Sequence, residues 1–299
     1  DARRAGARIL AEATVKRILW RDDAVDGKRV ADGVEIELEE GGTHIIRATT
    51  GVVVAAGTMA SSRILDASDI AGTGNQISLN IACPVVGLMP DGHRVNAWDE
   101  DQMATYVDRG DFLIESHFQP PMSMSTLMPG WGAEHHRRML NYNRLASAGV
   151  LFPADRRGWL DDGKLAFKLH LDEDLPLLRR ALAALIDVHF RAGAIEVYPA
   201  LARGDMIRPG ENIDAWLKQR IREADDVTLS SSHPHGGNAI NADPMLGVVD
   251  PQCRVHGTAN VLVTDASVVP SCIRVNAQLT TMAMAHYATA RVDPFRVSS

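Results

Sequence analysis

The residues best suited to chemistry gather in the last seventy positions. His233 and His235 flank Pro234, and Gly236 and Gly237 follow, within the run SSSHPHGG at 230–237. Two histidines two residues apart could ligate a metal, but a third ligand cluster would be needed, and none stands at ligand spacing. No metal site is therefore expected. The two glycines would let the backbone approach a ligand closely. The alternative is a turn whose histidines decorate a surface. Further on, residues 260–264 read as a short buried strand ending in Asp265. The loop ASVVPSCIRVN then leads into a helix expected from about 277 to 292. A strand, a loop and a helix N-terminus in that order make a site for an anionic group. Asn276 opens that helix either as its N-cap or as a side chain directed at a ligand, and the segment alone does not separate the two.

Other candidates carry less. His135 and His136 sit beside Arg137 and Arg138 and read as a solvated helix face. His256 and His286 have no partners in sequence. Gly72-Thr73-Gly74 imitates the start of a dinucleotide loop, but Ile77 occupies the third glycine position and no strand-to-helix junction surrounds it. There is no GxSxG elbow, P-loop or HExxH.

The elements that must position these residues change character along the chain. Residues 8–21 are a strand candidate. Residues 30–39 alternate Val34, Ile36 and Leu38 with Glu35, Glu37 and Glu39, the period-two signature of a strand. Gly41-Gly42 turns the chain, and 44–48 can return as the hairpin partner. The apolar run 51–56 reads as a strand buried on both faces of a parallel sheet. Thr58 is placed to cap a helix to about Ala67. Between 81 and 227, strands are expected at 85–89, 111–119, 149–153 and 164–172. Phe112, Ile114, Ser116 and Phe118 share one face, which points to an antiparallel sheet with one wet side. The best helix is 174–193, with Leu175, Leu178, Leu182, Leu185 and Ile186 in one stripe; a second, capped by Asn212, is expected over 212–224.

At 299 residues the chain suggests about two domains. With 45% hydrophobic and 23% charged residues it is ordinary globular material, neither disordered, collagenous nor coiled-coil. The net charge of −7 argues against a nucleic-acid partner. The longest apolar stretch, 51–60, is too short to span a bilayer. Asp1 is followed by Arg3, Arg4 and Arg8 with no apolar core, so no signal peptide is expected. The missing initiator Met points to a processed or partial product. Cys83, Cys253 and Cys272 are unpaired in spacing, which fits a reducing, cytoplasmic setting. Lysines number only five against many arginines, a bias of GC-rich bacterial genomes.

Taken together, SSSHPHGGN and GVVDPQCRVHGTANVLVTDASVVPSCIRVNAQLTTMAMA resemble the C-terminal signature of the glucose–methanol–choline (GMC) flavoprotein oxidoreductases. VVVAAGTMASSRIL at 52–65 resembles that family's second signature, and ADGVEIEL at 31–38 matches the strand pair preceding it. The resemblance covers essentially the whole chain and is weakest from about 120 to 227. It departs at Ala277, where the family usually has proline; a first helical position accepts either. The strand–GxGxxG–helix unit with which the family holds FAD pyrophosphate is not within these residues, which points to a C-terminal fragment or a companion chain.

The resemblance implies an α/β flavoprotein of two domains: 1–80 and 228–299 as parts of a Rossmann-like FAD domain, 81–227 as an antiparallel-sheet substrate domain. It implies oxidation of an alcohol to an aldehyde or ketone, with hydride transfer to flavin N5. His233 would take the hydroxyl proton, as an imidazole near neutrality can, and Asn276 would orient the substrate oxygen. The helix after it would turn its positive end to the flavin, with Gln278 and Thr280 alongside. Asp265 and Ala266 would run along the ribityl and pyrophosphate, Gly57 and Ser61 would lie close to the cofactor, and Val15 near the adenine. The tail resembles bacterial, long-chain or alicyclic alcohol dehydrogenases more than sugar oxidases. The rival implication is a non-catalytic fragment or subunit of a flavoprotein assembly.

Overall fold

The computed structural model describes residues 1–96, 98, 103 and 105–290; the expected helix end at 292 lies outside them. The alternating segment forms the middle of an antiparallel three-stranded sheet, β1 (Ala13–Trp20), β2 (Ala31–Leu38) and β3 (Thr43–Arg47). Its register sets Val15 opposite Ile36 and Ile18 opposite Val34. The first strand begins later than expected, at Ala13, and residues 8–12 are exposed.

The short run β4 (Val52–Val54) pairs in parallel with β12 (Val261–Val263). Burial on both faces does not hold. Val54 is 4% exposed, but Val53 is 46% exposed and lines an open cleft, because among the described residues β4 has one strand neighbour only. Helix α1 (Thr58–Asp66) follows, with Gly57 rather than Thr58 at its N-cap. The Thr58 hydroxyl instead donates to the Pro234 carbonyl at 2.8 Å. Ile18, Val54, Leu65, Val249, Val261, Val263 and Val268 make one hydrophobic cluster, so the two ends of the chain share a core.

The middle of the chain builds a seven-stranded antiparallel sheet around β5 (Asn75–Leu88) and β8 (Leu145–Asp161), both far longer than their apolar cores suggest. Next to β8 lie β7 (Leu113–Ser116), then β6 (Tyr106–Asp108), with β9 (Lys164–Phe167) also on β8. On the other side of β5 lie β10 (Glu196–Pro199) and β11 (His235–Gly237). Successive strand residues face opposite ways. One face gathers Ile81, Cys83, Val85, Ile114, Val150 and Phe152 with Leu178, Leu182, Leu185 and Ile186 of α4 (Leu171–Arg191). Asp172, Glu173 and Asp174 complement that helix's positive end. The second helix is shorter than expected, α5 (Ile213–Arg220), with the Asn212 side chain accepting from the Ala215 amide at 2.9 Å as its cap.

The opposite face carries Ser78, Asn80, Leu113, Glu115, Gly149 and Leu151. It is not the wet face expected, for Leu113, Glu115 and Leu151 are buried. Part of α2 (Pro121–Leu127) covers one end, through Met124 against Val86, and α3 (Gly132–Met139) follows it in the chain. The tail loop that ends in Asn276 is bonded to Asn80 on the same face.

Candidate active site

Residues 230–237 run beside β5, with Ser230 bridged to Ala82 and His235 opposite Ser78. Gly236 has φ +81°, and a Cβ there would stand 2.7 Å from the Gln76 carbonyl oxygen. The close approach that this glycine permits is therefore to β5, not to a ligand. The Gly74 amide donates to the Gly237 carbonyl at 2.7 Å, so the Gly72-Thr73-Gly74 segment braces the turn.

The two histidines of the turn are unequal. His235 is fully buried. Its Nδ1 donates to the His233 carbonyl at 2.8 Å and its Nε2 accepts from the Ile273 amide at 3.2 Å. A carbonyl only accepts and an amide N–H only donates, so this tautomer is imposed. Burial holds the His235 pKa below the ordinary histidine value. With both nitrogens engaged, His235 is a neutral strut. His233 is half-buried, and its Nδ1 is buried without a partner. Burial lowers its pKa too, with the Glu115 charge opposing.

The loop before the last helix is pinned at successive residues. The Cys272 amide donates to Asp155 at 2.6 Å, Ile273 to His235, and Asn80 donates to the Val275 carbonyl at 2.8 Å. Arg274 reaches Asp108 at 3.2 Å. Asn276 is not a cap. The first bond of α6 (Gln278–Ala290) runs from the Thr281 amide to the Ala277 carbonyl at 2.9 Å, which makes Ala277 the capping position. The Asn276 amide instead donates to Met103 Sδ at 3.3 Å, and its Oδ1 is buried without a partner. Gln278 is exposed and Thr280 half-buried at the helix start, where backbone N–H groups point out of the helix.

The remaining expected residues form a second group. The Asp265 carboxylate, 5% exposed, accepts from the Gly57 amide at 2.9 Å, the Ser61 hydroxyl, and the Ser267 amide and hydroxyl at 2.9 and 2.6 Å. Ser61 in turn accepts from the Ala56 amide at 2.9 Å. These side chains are spent on each other. What they present outward is half-buried backbone at Gly57 and Ala266. Val15 lies apart, in a cleft of about 670 Å³ lined also by Val34, Val53, Ala55 and Ala56. An orphaned imidazole nitrogen, an orphaned amide oxygen and an open helix start fit an adjoining cofactor and a substrate hydroxyl.

Sequence reasoning missed Ser78, Asn80, Glu115, His117 and Asp155. Ser78 and Asn80 are polar residues at alternate positions of an otherwise apolar run, and Glu115 interrupts Leu113-Ile114 in the same way. That interruption is the only signal the sequence offered for them.

A family model described as GMC oxidoreductase matches residues 1–87, and a second of the same description matches 162–285. A GMC-type oxidoreductase of Mycobacterium tuberculosis is 32% identical over 293 residues, covering 94% of this chain and 44% of its own. An oxygen-dependent choline dehydrogenase of Sinorhizobium medicae is 26% identical, covering 80% of this chain and 51% of its own. The formate oxidase of Aspergillus oryzae superposes with a TM-score of 0.63 at 15% identity, over 93% of this chain and 59% of that one. The chain thus spans about half the length of the curated relatives it matches. It belongs to the GMC oxidoreductase family, whose cofactor is FAD.

Proposed function

We propose that this GMC chain carries the catalytic residues of an enzyme that oxidises an alcohol, CH–OH, to an aldehyde or ketone. When bound, FAD supplies the hydride acceptor at its N5 position. His233 takes the hydroxyl proton as general base: burial keeps it neutral and able to accept at pH 7. Asn276 orients the substrate oxygen with its amide. The start of α6, with Gln278 and Thr280 on its first turn, offers a positive end to negative charge gathering nearby. Gly57 and Ala266 meet the cofactor through backbone, Ser61 and Asp265 hold those two segments together, and Val15 lines the cleft beyond. We assign 1–80 and 228–299 to FAD binding and 81–227 to the substrate; one hydrophobic cluster lies wholly in the first set, and a second lies in the middle region except for Ile77 and Leu79 at the start of β5.

One observation carries the reading. His233 Nδ1 and Asn276 Oδ1 are both buried without partners, and they belong to the two residues that the family motif marks as catalytic. An unsatisfied buried polar atom costs about 1–3 kcal/mol, and the two segments that carry this pair are bonded to each other through Ile273 and His235, which favours a shared ligand site. The choline dehydrogenase relative is named for an alcohol, which favours a CH–OH donor. The rival, a non-catalytic chain, leaves these atoms unexplained. The Mycobacterium relative holds its matching segment within one longer chain, which gives a companion chain no support. Three free cysteines accord with a reducing compartment, and among the described residues no helix is long and apolar enough to cross a membrane. The test is anaerobic flavin reduction by a panel of alcohols in single turnover, in the FAD-loaded enzyme and in His233→Ala. Reduction at the parental rate in that variant removes His233 from the chemistry.

A further inference from the structure

We propose that Asn80 is a positioning residue for Asn276: its buried amide closes the loop 272–276 and sets the peptide plane from which Asn276 projects. This rests on the reading of Asn276 as the group that orients the substrate oxygen. Asn80 lies on β5, on the sheet face turned away from α4, and is 1% exposed. Its Nδ2 donates to the Val275 carbonyl at 2.8 Å, and its Oδ1 accepts from the Cys272 thiol at 3.1 Å. A carbonyl only accepts, so the orientation of this amide is imposed. One side chain thus spans the loop from Cys272 to Val275. The peptide group is planar, so the Val275 oxygen shares one rigid plane with the nitrogen and Cα of Asn276. The bond from Asn80 fixes that plane. Asn276 depends on it, because its own amide donates only to a thioether, Met103 Sδ at 3.3 Å, and its Oδ1 has no partner among the described residues.

The neighbouring strand β8 holds the same loop at its first residue. Between the pairs Ile77–Gly158 and Leu79–Ala154 the register slips, and within that bulge Arg156 takes a left-handed φ of +57°. The Arg156 amide donates to Ser78 Oγ at 2.8 Å, the Ser78 hydroxyl donates to Asp155 at 3.0 Å, and Asp155 accepts from the Cys272 amide at 2.6 Å. Bulges re-aim side chains, and this one turns Asp155 onto the residue that Asn80 also holds. Sheet stability does not account for Asn80. Its two side-chain bonds both go to the loop, and an apolar residue would line β5 with no amide to desolvate. What the amide contributes is a loop fastened just before Asn276, on the side opposite the Ile273–His235 bond.

The experiment is a double-mutant cycle read by anaerobic single-turnover flavin reduction over a range of alcohol concentrations. Its four FAD-loaded enzymes, matched in flavin content, are the parent, Asn80→Leu, Asn276→Ala and the double variant. Asn80→Leu should lower the limiting rate by on the order of 10- to 100-fold, as a misplacement of about 1 Å does. The half-saturating alcohol concentration should move by less than about threefold, the signature of an interaction made in the transition state. In the Asn276→Ala background the same change should cost less than about twofold, because Asn80 acts through a side chain that is no longer there. Should Asn80→Leu not fold, Asn80→Ser, which leaves room for water at the Val275 carbonyl, enters the same cycle. A parental limiting rate in a folded Asn80 variant overturns the proposal, and so does an equal loss in both backgrounds, which is what a general loosening of the fold would give. An Asn276→Ala enzyme that reduces its flavin at the parental rate overturns the reading of Asn276 itself, and the role of Asn80 with it.

Discussion

The amide of Ile273 donates to Nε2 of His235 at 3.2 Å, fastening the loop that presents Asn276 to the turn that presents His233. The two candidate catalytic side chains are thereby held by one bond between their supports. His235, adjacent in the motif and identical in chemistry, is removed from proton transfer by that bond.

His235 and His233 should therefore separate by assay. His233→Ala should cost on the order of 10²–10⁴ in flavin reduction with little change in melting temperature, the usual loss for a positioned base. His235→Ala should lower the melting temperature, because it leaves the Ile273 amide and the His233 carbonyl unpaired. Melting curves beside stopped-flow traces decide it; if His235→Ala melts like the parent and abolishes reduction, the assignment within the turn is reversed.

Asn276→Ala should leave stability nearly unchanged. A helix cap would cost about 1 kcal/mol on truncation, but the capping position is Ala277. The reductive rate should fall by about 10²-fold, as for removal of a donor to a developing oxyanion. A drop in melting temperature with normal reduction would return Asn276 to a capping role.

Asp265→Asn should destabilise strongly. One buried carboxylate joins Gly57, Ser61 and Ser267, and hydrogen bonds to a charged group are each worth about 1.5–3 kcal/mol. A loss of about 3 kcal/mol in denaturant unfolding is expected, together with weaker FAD retention, because the backbone at Gly57 and Ala266 loses its common anchor. Wild-type unfolding with normal FAD content would show that the anchor lies elsewhere.

Expressed by themselves, residues 1–299 should not hold stoichiometric FAD. They contain no strand–GxGxxG–helix unit for the pyrophosphate. Val53, Leu279 and Met282 are exposed apolar side chains on β4 and α6. The purified chain should be colourless and poorly soluble; a yellow, soluble monomer with one flavin would contradict this.

Acid should destabilise the fold through His189. Packed against Gly87 under the sheet, it has its pKa pushed down by burial to about 4 from 6.5. Between those values the unfolded chain binds a proton that the folded chain excludes. Stability is therefore full above about pH 6.5 and falls toward pH 4, by about 3 kcal/mol from this residue. Unfolding curves across that range should be flatter in His189→Gln, and an unchanged slope would locate the acid sensitivity in another group.

Much of this molecule was legible in its sequence because the signals are local. The valine–glutamate alternation of β2, the Gly41-Gly42 turn and the leucine stripe of α4 each repeat with the period of the element they form. The ordered motifs near both ends marked His233 and Asn276 and the family. What only the tertiary structure decided lies in contacts between distant residues. His235 became a strut because Ile273 folds back onto it, and Asn276 lost the cap because Ala277 takes that position once the loop is pinned by Asn80 and Asp155. Val53 faces an open cleft because β4 has one strand neighbour, a matter of topology rather than of apolar composition. Glu115 reads in sequence as one charge in a strand. Its setting exists only when β7, β8 and β5 lie in register and place it on the same sheet face as the loop that carries Asn276. Periodicity reports which way a side chain faces along its own element; hydrogen-bond partners and buried charges depend on what folding brings against that face.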